Sequence, residues 1–261
     1  MNNDFYSSEY NGKENTRVHS EIQSSTINLF IKSYLWMFIS LLITFVVGLL
    51  STTFLQKAIL SSLNNQSGSL IIFFALTFIS TIAQFILCFK INKNALVKAN
   101  FKKAMIGLIV FAILNGFTFS TLFIYFDVAV LYQVFGVVTV YYLLLTGLSY
   151  LFRKKIHKAR TFAYIGLISL LIVSIIVSIY SLFSFNGAIS SSLYLGVNLL
   201  GLVVFTILTL VDVRSMYNLI ENSYDKKSAS VAAAFSLYLD FINIFVYILR
   251  LVAILGRNNK K

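Results

Sequence analysis

Two aspartates lie in strongly apolar surroundings in the last third of this 261-residue sequence. Asp212 follows the apolar run 205–211, and Asp240 lies about ten residues into a second run that begins at Val231. An ionisable side chain inside a membrane costs about 2.5 kcal/mol or more, so such residues usually have a function. Asp212 also has a simpler explanation, because carboxylates at helix ends reach water. Asp240 is the stronger candidate of the two.

Asp240 shares one face of its predicted helix with other polar side chains. At about 100° per residue, a sector of roughly 80° contains Ser236, Asp240, Asn243, Tyr247 and Arg250. Lipid cannot satisfy polar groups, so this polar stripe should face protein or a water-filled cavity, with Arg250 held inside the bundle. The alternative is a structural stripe that only hydrogen-bonds neighbouring helices.

The composition is that of an integral membrane protein. Apolar residues make up 58% of the chain and charged residues 11%, against about 25% charged in soluble domains. This excludes a soluble globular protein, a disordered chain and a nucleic-acid-binding domain. One cysteine excludes an internal disulfide framework, and the scattered His19, Cys88 and His157 do not suggest a zinc site. We expect no cofactor.

Seven apolar runs are long enough to cross a membrane as helices. They are Tyr34–Leu55, Ser69–Phe89, Ala104–Tyr125, Leu131–Phe152, Thr161–Phe183, Ser191–Val211 and Val231–Leu255. Residues 1–28 are then a polar cytoplasmic tail, residues 29–256 the transmembrane domain and residues 257–261 a short basic tail. Tyr34 and Trp36 resemble an anchor at the membrane interface. The chain has no proline, so any hinge must come from local unwinding or from glycines such as Gly48, Gly116, Gly147 or Gly201.

The basic residues predict the orientation. The N-terminal segment and the second, fourth and sixth connections are rich in Lys and Arg, whereas the first, third and fifth connections together hold only Lys57. Basic residues favour the cytoplasmic side, so the N-terminus and the loops 90–103 and 153–160 should be cytoplasmic, and Gly187 external. The basic C-terminal tail, with Arg257, Lys260 and Lys261, disagrees. Either the internal connections override it, which we favour, or the last segment re-enters and returns.

The sequence contains no complete catalytic motif of the enzyme classes considered. Gly147-Leu-Ser149 resembles a serine nucleophile motif only in part, and no predicted span contains a histidine base. An intramembrane aspartyl protease would need Tyr-Asp and Gly-x-Gly-Asp contexts and a Pro-Ala-Leu motif. Here the two aspartates follow Val211 and Leu239 in a chain without proline. We therefore predict that the protein is not an enzyme.

The last apolar run resembles a known family. The segment from Phe235 to Arg250, with Leu-Tyr-Leu-Asp240 and Asn243 at its centre, closely resembles the last helix of the Bax inhibitor-1 (transmembrane Bax inhibitor motif) family. The segment from Phe205 to Arg214 is similar to the sixth-helix motif of that family. Span count, length and basic loops agree over residues 29–256, as for a bacterial-type member in the cell membrane.

The resemblance implies an all-α fold in which six transmembrane helices surround a central seventh. It also implies a pH-sensing pair, Asp212 and Asp240, that gates a calcium leak. Close carboxylates titrate as a unit, and their oxygens suit weak, transient binding of calcium. Arg214, Arg250 and the lysines near Lys90 could act as counter-charges. The alternative is a non-conducting stress regulator that acts through other membrane proteins, for example a membrane-bound protease, and the lack of a carboxylate in the second span favours it.

Overall fold

A computed structural model describes the backbone of residues 3–63, 68–151, 156–183 and 191–258. Side chains are described for residues 24–62, 68–149, 161–177 and 195–256. These described residues form seven α-helices and one short π-helix. They are α1 Asn3–Leu63, α2 Gly68–Asn92, the π-helix Lys93–Val97, α3 Phe101–Phe123, α4 Val128–Leu151, α5 Ile156–Phe183, α6 Ser191–Asn222 and α7 Lys226–Asn258.

The predicted all-helical membrane protein is confirmed. Within the described residues six helices, all but α5, are long and apolar enough to cross a membrane. α5 is 28 residues long, and its apolar stretch covers Thr161–Val177 in the described part of the chain. Large apolar side chains point outward, as expected where lipid is the solvent. Phe78 and Phe85 of α2, for example, are both 69% exposed.

Several helices extend beyond the predicted apolar runs. α6 continues to Asn222, past the predicted end at Val211, and α7 begins at Lys226 rather than Val231. The added turns of α6 are amphipathic, with Val213 and Ile220 buried, so the helix persists although its apolar run has ended. Asp212 therefore lies inside a helix and not at its end. The backbone of α1 is likewise already helical at Asn3, within the segment predicted to be a polar tail.

α7 is extensively buried among the other helices. It packs against α1, α2, α3, α4 and α6, and nearly all of its residues from Ser228 to Leu249 are buried or half-buried. Aromatic pairs form much of these contacts, including Phe111 with Phe235 and Phe135 with Phe241. The side chains of α7 are thus the ones best shielded from lipid.

Small residues bring α1 and α3 together. A Cβ on Gly116 would lie 2.5 Å from the carbonyl oxygen of Thr44, and one on Gly48 would lie 2.7 Å from the ring of Phe123. Thr44 and Gly48 are four residues apart on α1, and Ala112 and Gly116 are four apart on α3. Pairs of small residues at this spacing allow helices to approach closely in membranes. Gly201 serves a similar purpose, since a Cβ there would clash with the ring of Tyr247. Of the four glycines considered as hinges, three are therefore packing positions.

The loops that carry the orientation signal are described only in part. After the π-helix the backbone turns at Ala99, which has a φ of 47°. Asn100 then caps α3 by accepting a hydrogen bond from the backbone N–H of Lys103 at 3.0 Å. Gly187, the basic side chains of the 153–160 loop, and Arg257, Lys260 and Lys261 lie outside the described residues.

Candidate functional site

The α6–α7 hairpin sets the position of both aspartates. Asp225 begins α7, since its carboxylate accepts hydrogen bonds from the backbone N–H groups of Lys227 and Ser228 and from the Ser228 hydroxyl. Asp212 and Ser236 are equally distant along the chain from Tyr224 in the turn, so an antiparallel pair of helices brings them level. The Ser236 hydroxyl donates to Asp212 Oδ2 at 2.9 Å.

Asp240 lies one helical turn beyond Ser236 and is deeply buried. Its side chain is 5% exposed, and its Oδ2 atom has no hydrogen-bond partner among the described residues. Asp212 is half-buried and close enough to interact electrostatically with Asp240. A buried carboxyl oxygen without a partner lowers stability. Hydrogen bonding therefore does not explain why an aspartate occupies position 240.

Two tyrosines from other helices lie on the same side of the bundle. Tyr34 of α1 and Tyr142 of α4 both lie near Asp240. The Tyr34 hydroxyl is 3.2 Å from Thr146 Oγ1, and Thr146 in turn donates to the carbonyl oxygen of Tyr142 at 2.9 Å. Because a threonine hydroxyl has one proton, Tyr34 must be the donor to Thr146. Tyr34 is thus hydrogen-bonded to a neighbouring helix, and its role as an interfacial anchor stays a prediction.

The rest of the predicted stripe divides into different environments. Asn243 donates to the carbonyl oxygen of Leu239 in its own helix at 2.7 Å, and Tyr247 is buried against Phe205 with ring centroids 5.6 Å apart. Arg250 is exposed, with its guanidinium 6.0 Å from the Tyr247 ring centre. The prediction that Arg250 is held inside the bundle is therefore wrong. The polar stripe is buried or half-buried from Ser236 to Tyr247 and becomes exposed at Arg250.

Arg214 also has an aromatic neighbour on its own helix. Its guanidinium lies 5.9 Å from the ring centre of Tyr217, and the side chain is half-buried. Arg214 follows Asp212 by two positions, so the two side chains leave α6 on different faces. The role of counter-charge to the aspartates stays a prediction for both arginines.

A second buried polar cluster was missed in the sequence. Tyr238 is fully buried, and its hydroxyl contacts Asn115 Nδ2 of α3 and Thr44 Oγ1 of α1, each at 2.7 Å. Thr44 also lies 3.0 Å from the carbonyl oxygens of Ser40 and Ala112. We call Thr44, Asn115 and Tyr238 the tyrosine node. It joins three helices, and only its Tyr238 member belongs to the motif recognised in the sequence.

One carboxyl outside the apolar helices has a clearly shifted pKa. The hydroxyl of Ser228 holds the pKa of Asp225 below its ordinary value, with further help from the backbone N–H groups of Ser228 and Lys227 and the charge of Lys227. Partial burial opposes the shift. The described residues contain no group of three or more His, Cys, Asp or Glu side chains that could hold a metal ion. Asp212 and Asp240 alone could offer a cation only weak binding.

Comparison with known proteins decides the family. A family profile described as "Inhibitor of apoptosis-promoting Bax1" matches residues 26–259, which include every apolar helix and both aspartates. The chain belongs to the Bax inhibitor-1 family. This confirms the resemblance seen in the sequence.

Relatives in this family include uncharacterized bacterial proteins. One from Borreliella burgdorferi is 29% identical over 213 residues, covering 78% of this chain and 88% of the relative. One from Rickettsia prowazekii is 31% identical over 156 residues, covering 59% and 63%. One from Deinococcus radiodurans is 29% identical over 147 residues, covering 54% and 59%.

Proposed function

We propose that this Bax inhibitor-1 family protein is a pH-sensitive cation leak of the cell membrane, with calcium as the permeant ion and Asp212 and Asp240 as its sensor. In this proposal α1 to α7 all cross the bilayer, with the N-terminus cytoplasmic and α7 at the centre. The protein needs no bound cofactor and is not an enzyme. The family membership and the six long apolar helices support the membrane part of this proposal.

The observation that carries the proposal is the environment of Asp240. A carboxyl group that is 5% exposed, with one oxygen lacking a hydrogen-bond partner among the described residues, adds little to packing. It is costly to keep inside a membrane protein. Asp212 of the neighbouring helix interacts with it electrostatically, which supports a functional pairing.

The proposed gate works through one shared proton. In the closed state the carboxyl oxygens of Asp212 and Asp240 lie within about 3 Å of each other and share the proton in a strong hydrogen bond. Loss of that proton leaves two like charges that repel, which loosens the contact between α6 and α7. The bond from Ser236 to Asp212 keeps the two helices in register on one side of the pair.

Weak binding of the ion is consistent with a leak. Calcium prefers oxygen ligands and takes six to eight of them. Asp212, Asp240 and the amide oxygen of Asn243 supply a few, and water supplies the rest. A denser set of carboxylates would hold the ion too tightly for it to pass.

The second candidate is a non-conducting regulator that acts on another membrane protein, such as a membrane-bound protease. It is favoured by the sequence of α2, which contains no Asp or Glu that could help to admit a cation. In this case the two aspartates would set the packing of α6 on α7 without forming part of an ion path.

Flux measurements separate the two candidates. The purified full chain is reconstituted into liposomes that contain a calcium indicator, and calcium entry is recorded between pH 6 and pH 8. The leak hypothesis predicts entry above that of protein-free liposomes, with a rate that changes across this range. Entry equal to that of protein-free liposomes at every pH would reject the leak and favour the regulator.

A further inference from the structure

A cleft opens between α1, α2 and α3 close to the connection from α1 to α2. Its volume is about 490 Å³, within the range of about 300–1,000 Å³ that is usual for small-ligand sites. Most of its wall is apolar and comes from all three helices. The principal apolar side chains are Phe54, Ile72, Phe73, Leu76 and Phe117.

Buried and half-buried aromatic side chains form the inner wall of the cleft, and two hydroxyl groups line one end of it. Phe73 is 6% exposed, and its ring lies 5.1 Å from that of Phe117, centre to centre. At the end nearest the α1–α2 connection the hydroxyls of Ser61 and Ser69 are hydrogen-bonded to each other. The cleft is therefore concave and open on its outer side, where the apolar helices meet lipid.

One charge lies at the rim. Lys57 is exposed and lines the cleft together with the two serines. It is also the only Lys or Arg in the first, third and fifth connections taken together. Lys57 is five residues, roughly 8 Å, from the end of the apolar stretch Ser24–Ser62, at the depth where a lysine head group reaches the phosphates.

We propose that this cleft binds one anionic phospholipid, with an acyl chain against the phenylalanines and the phosphate at Lys57. A cleft that opens into hydrocarbon is filled by a lipid tail, and a lone ammonium at its polar end attracts a net negative head group. With the proposed orientation, in which the N-terminus is cytoplasmic, this lipid would come from the outer leaflet. The site is independent of the aspartate pair and of calcium conduction.

Native mass spectrometry of the full chain in detergent tests this site. The protein is titrated with phosphatidylglycerol or with phosphatidylcholine of the same acyl chains. We expect a one-lipid adduct that favours phosphatidylglycerol about five-fold, the ratio that one lysine near an anionic head group supplies. Lys57→Gln should remove this preference and leave phosphatidylcholine binding unchanged, whereas Leu76→Trp should fill the cleft and reduce both adducts.

Lys90→Gln is the matched control, because Lys90 is an exposed lysine in the last turn of α2, at the opposite end from Ser69. It should keep the wild-type preference. Equal binding of the two lipids to the wild-type protein, or an unchanged preference in Lys57→Gln, would overturn the role of Lys57. An unchanged adduct in Leu76→Trp would show that the lipid binds elsewhere.

Discussion

The aspartate region and the tyrosine node are both buried and polar, but they differ in how their polar atoms are satisfied. In the tyrosine node the Tyr238 hydroxyl bonds to both Asn115 and Thr44, each at 2.7 Å, and so joins three helices. In the aspartate region one oxygen of Asp240 has no hydrogen-bond partner among the described residues. A satisfied network stabilises a membrane bundle, whereas a costly, unsatisfied acid persists where it has a function.

The largest effect on stability is expected from the tyrosine node. Tyr238→Phe removes the hydroxyl and leaves Asn115 and Thr44 each without that partner. This should lower the free energy of unfolding by about 1–3 kcal/mol, measured by thermal unfolding in detergent. Tyr132→Phe is the control, since Tyr132 is 58% exposed. Equal stability of the two variants would mean that the node does not hold the helices together.

The cap of α7 should give the next largest effect, and that effect should depend on pH. Asp225→Ala should cost about 1 kcal/mol near neutral pH. The pKa of Asp225 is lowered in the folded state, chiefly by Ser228. Its contribution is therefore complete above the unfolded value of about 3.9 and is lost as the pH falls through the folded value. The melting difference from wild type should shrink below pH 4, and a constant difference would contradict this. Asp127→Asn, at the exposed aspartate that precedes α4, keeps a residue type suited to a helix start and should show little effect at either pH.

Asp240→Asn should change stability less than Tyr238→Phe does. The amide keeps the shape of the carboxyl, and its N–H group can donate a hydrogen bond to Asp212 in place of the shared proton. We expect a change in the free energy of unfolding below about 1 kcal/mol at neutral pH. A loss as large as that of Tyr238→Phe would place Asp240 among the structural residues and remove the contrast between the two regions.

Arg250→Leu should have the smallest effect. The side chain is exposed and contacts the ring of Tyr247 on its own helix, so its removal should change the free energy of unfolding by no more than about 0.5 kcal/mol. Lys90→Leu, at an exposed site on α2, provides the comparison. A clearly greater loss at Arg250 would restore the sequence-based expectation that it is enclosed.

Much of the fold and part of the site could be predicted from the sequence. Apolar run length identifies membrane helices, and helical periodicity placed Ser236, Asp240 and Asn243 on one face of α7. The extension of α6 beyond Asp212 was missed because the apolar run ends there, while the helix continues as an amphipathic one. The sequence offered one signal for this extension, namely that Val213 and Ile220, seven positions apart, fall on the same face of a continued helix.

Contacts between distant helices could not be predicted in this way. Tyr34 resembles an interfacial anchor because it begins an apolar run, and its bond to Thr146, 112 positions away, depends on how α1 packs on α4. The tyrosine node likewise requires α1, α3 and α7 to meet at one level. The sequence offers only one signal for it, namely that Asn115 is polar within an apolar helix.

The most direct test of the aspartate pair as pH sensor is the pH profile of calcium flux in Asp212→Asn and Asp240→Asn. The flux is measured in indicator-loaded liposomes from pH 6 to pH 8. Each change keeps the shape of the side chain and removes one titrating group from the pair. If the aspartate pair is the sensor, both variants should show a flatter pH profile, whatever level of flux each retains, and the matched control Asp127→Asn should show the wild-type profile. The full wild-type pH profile in both aspartate variants would contradict the claim that this pair is the sensor.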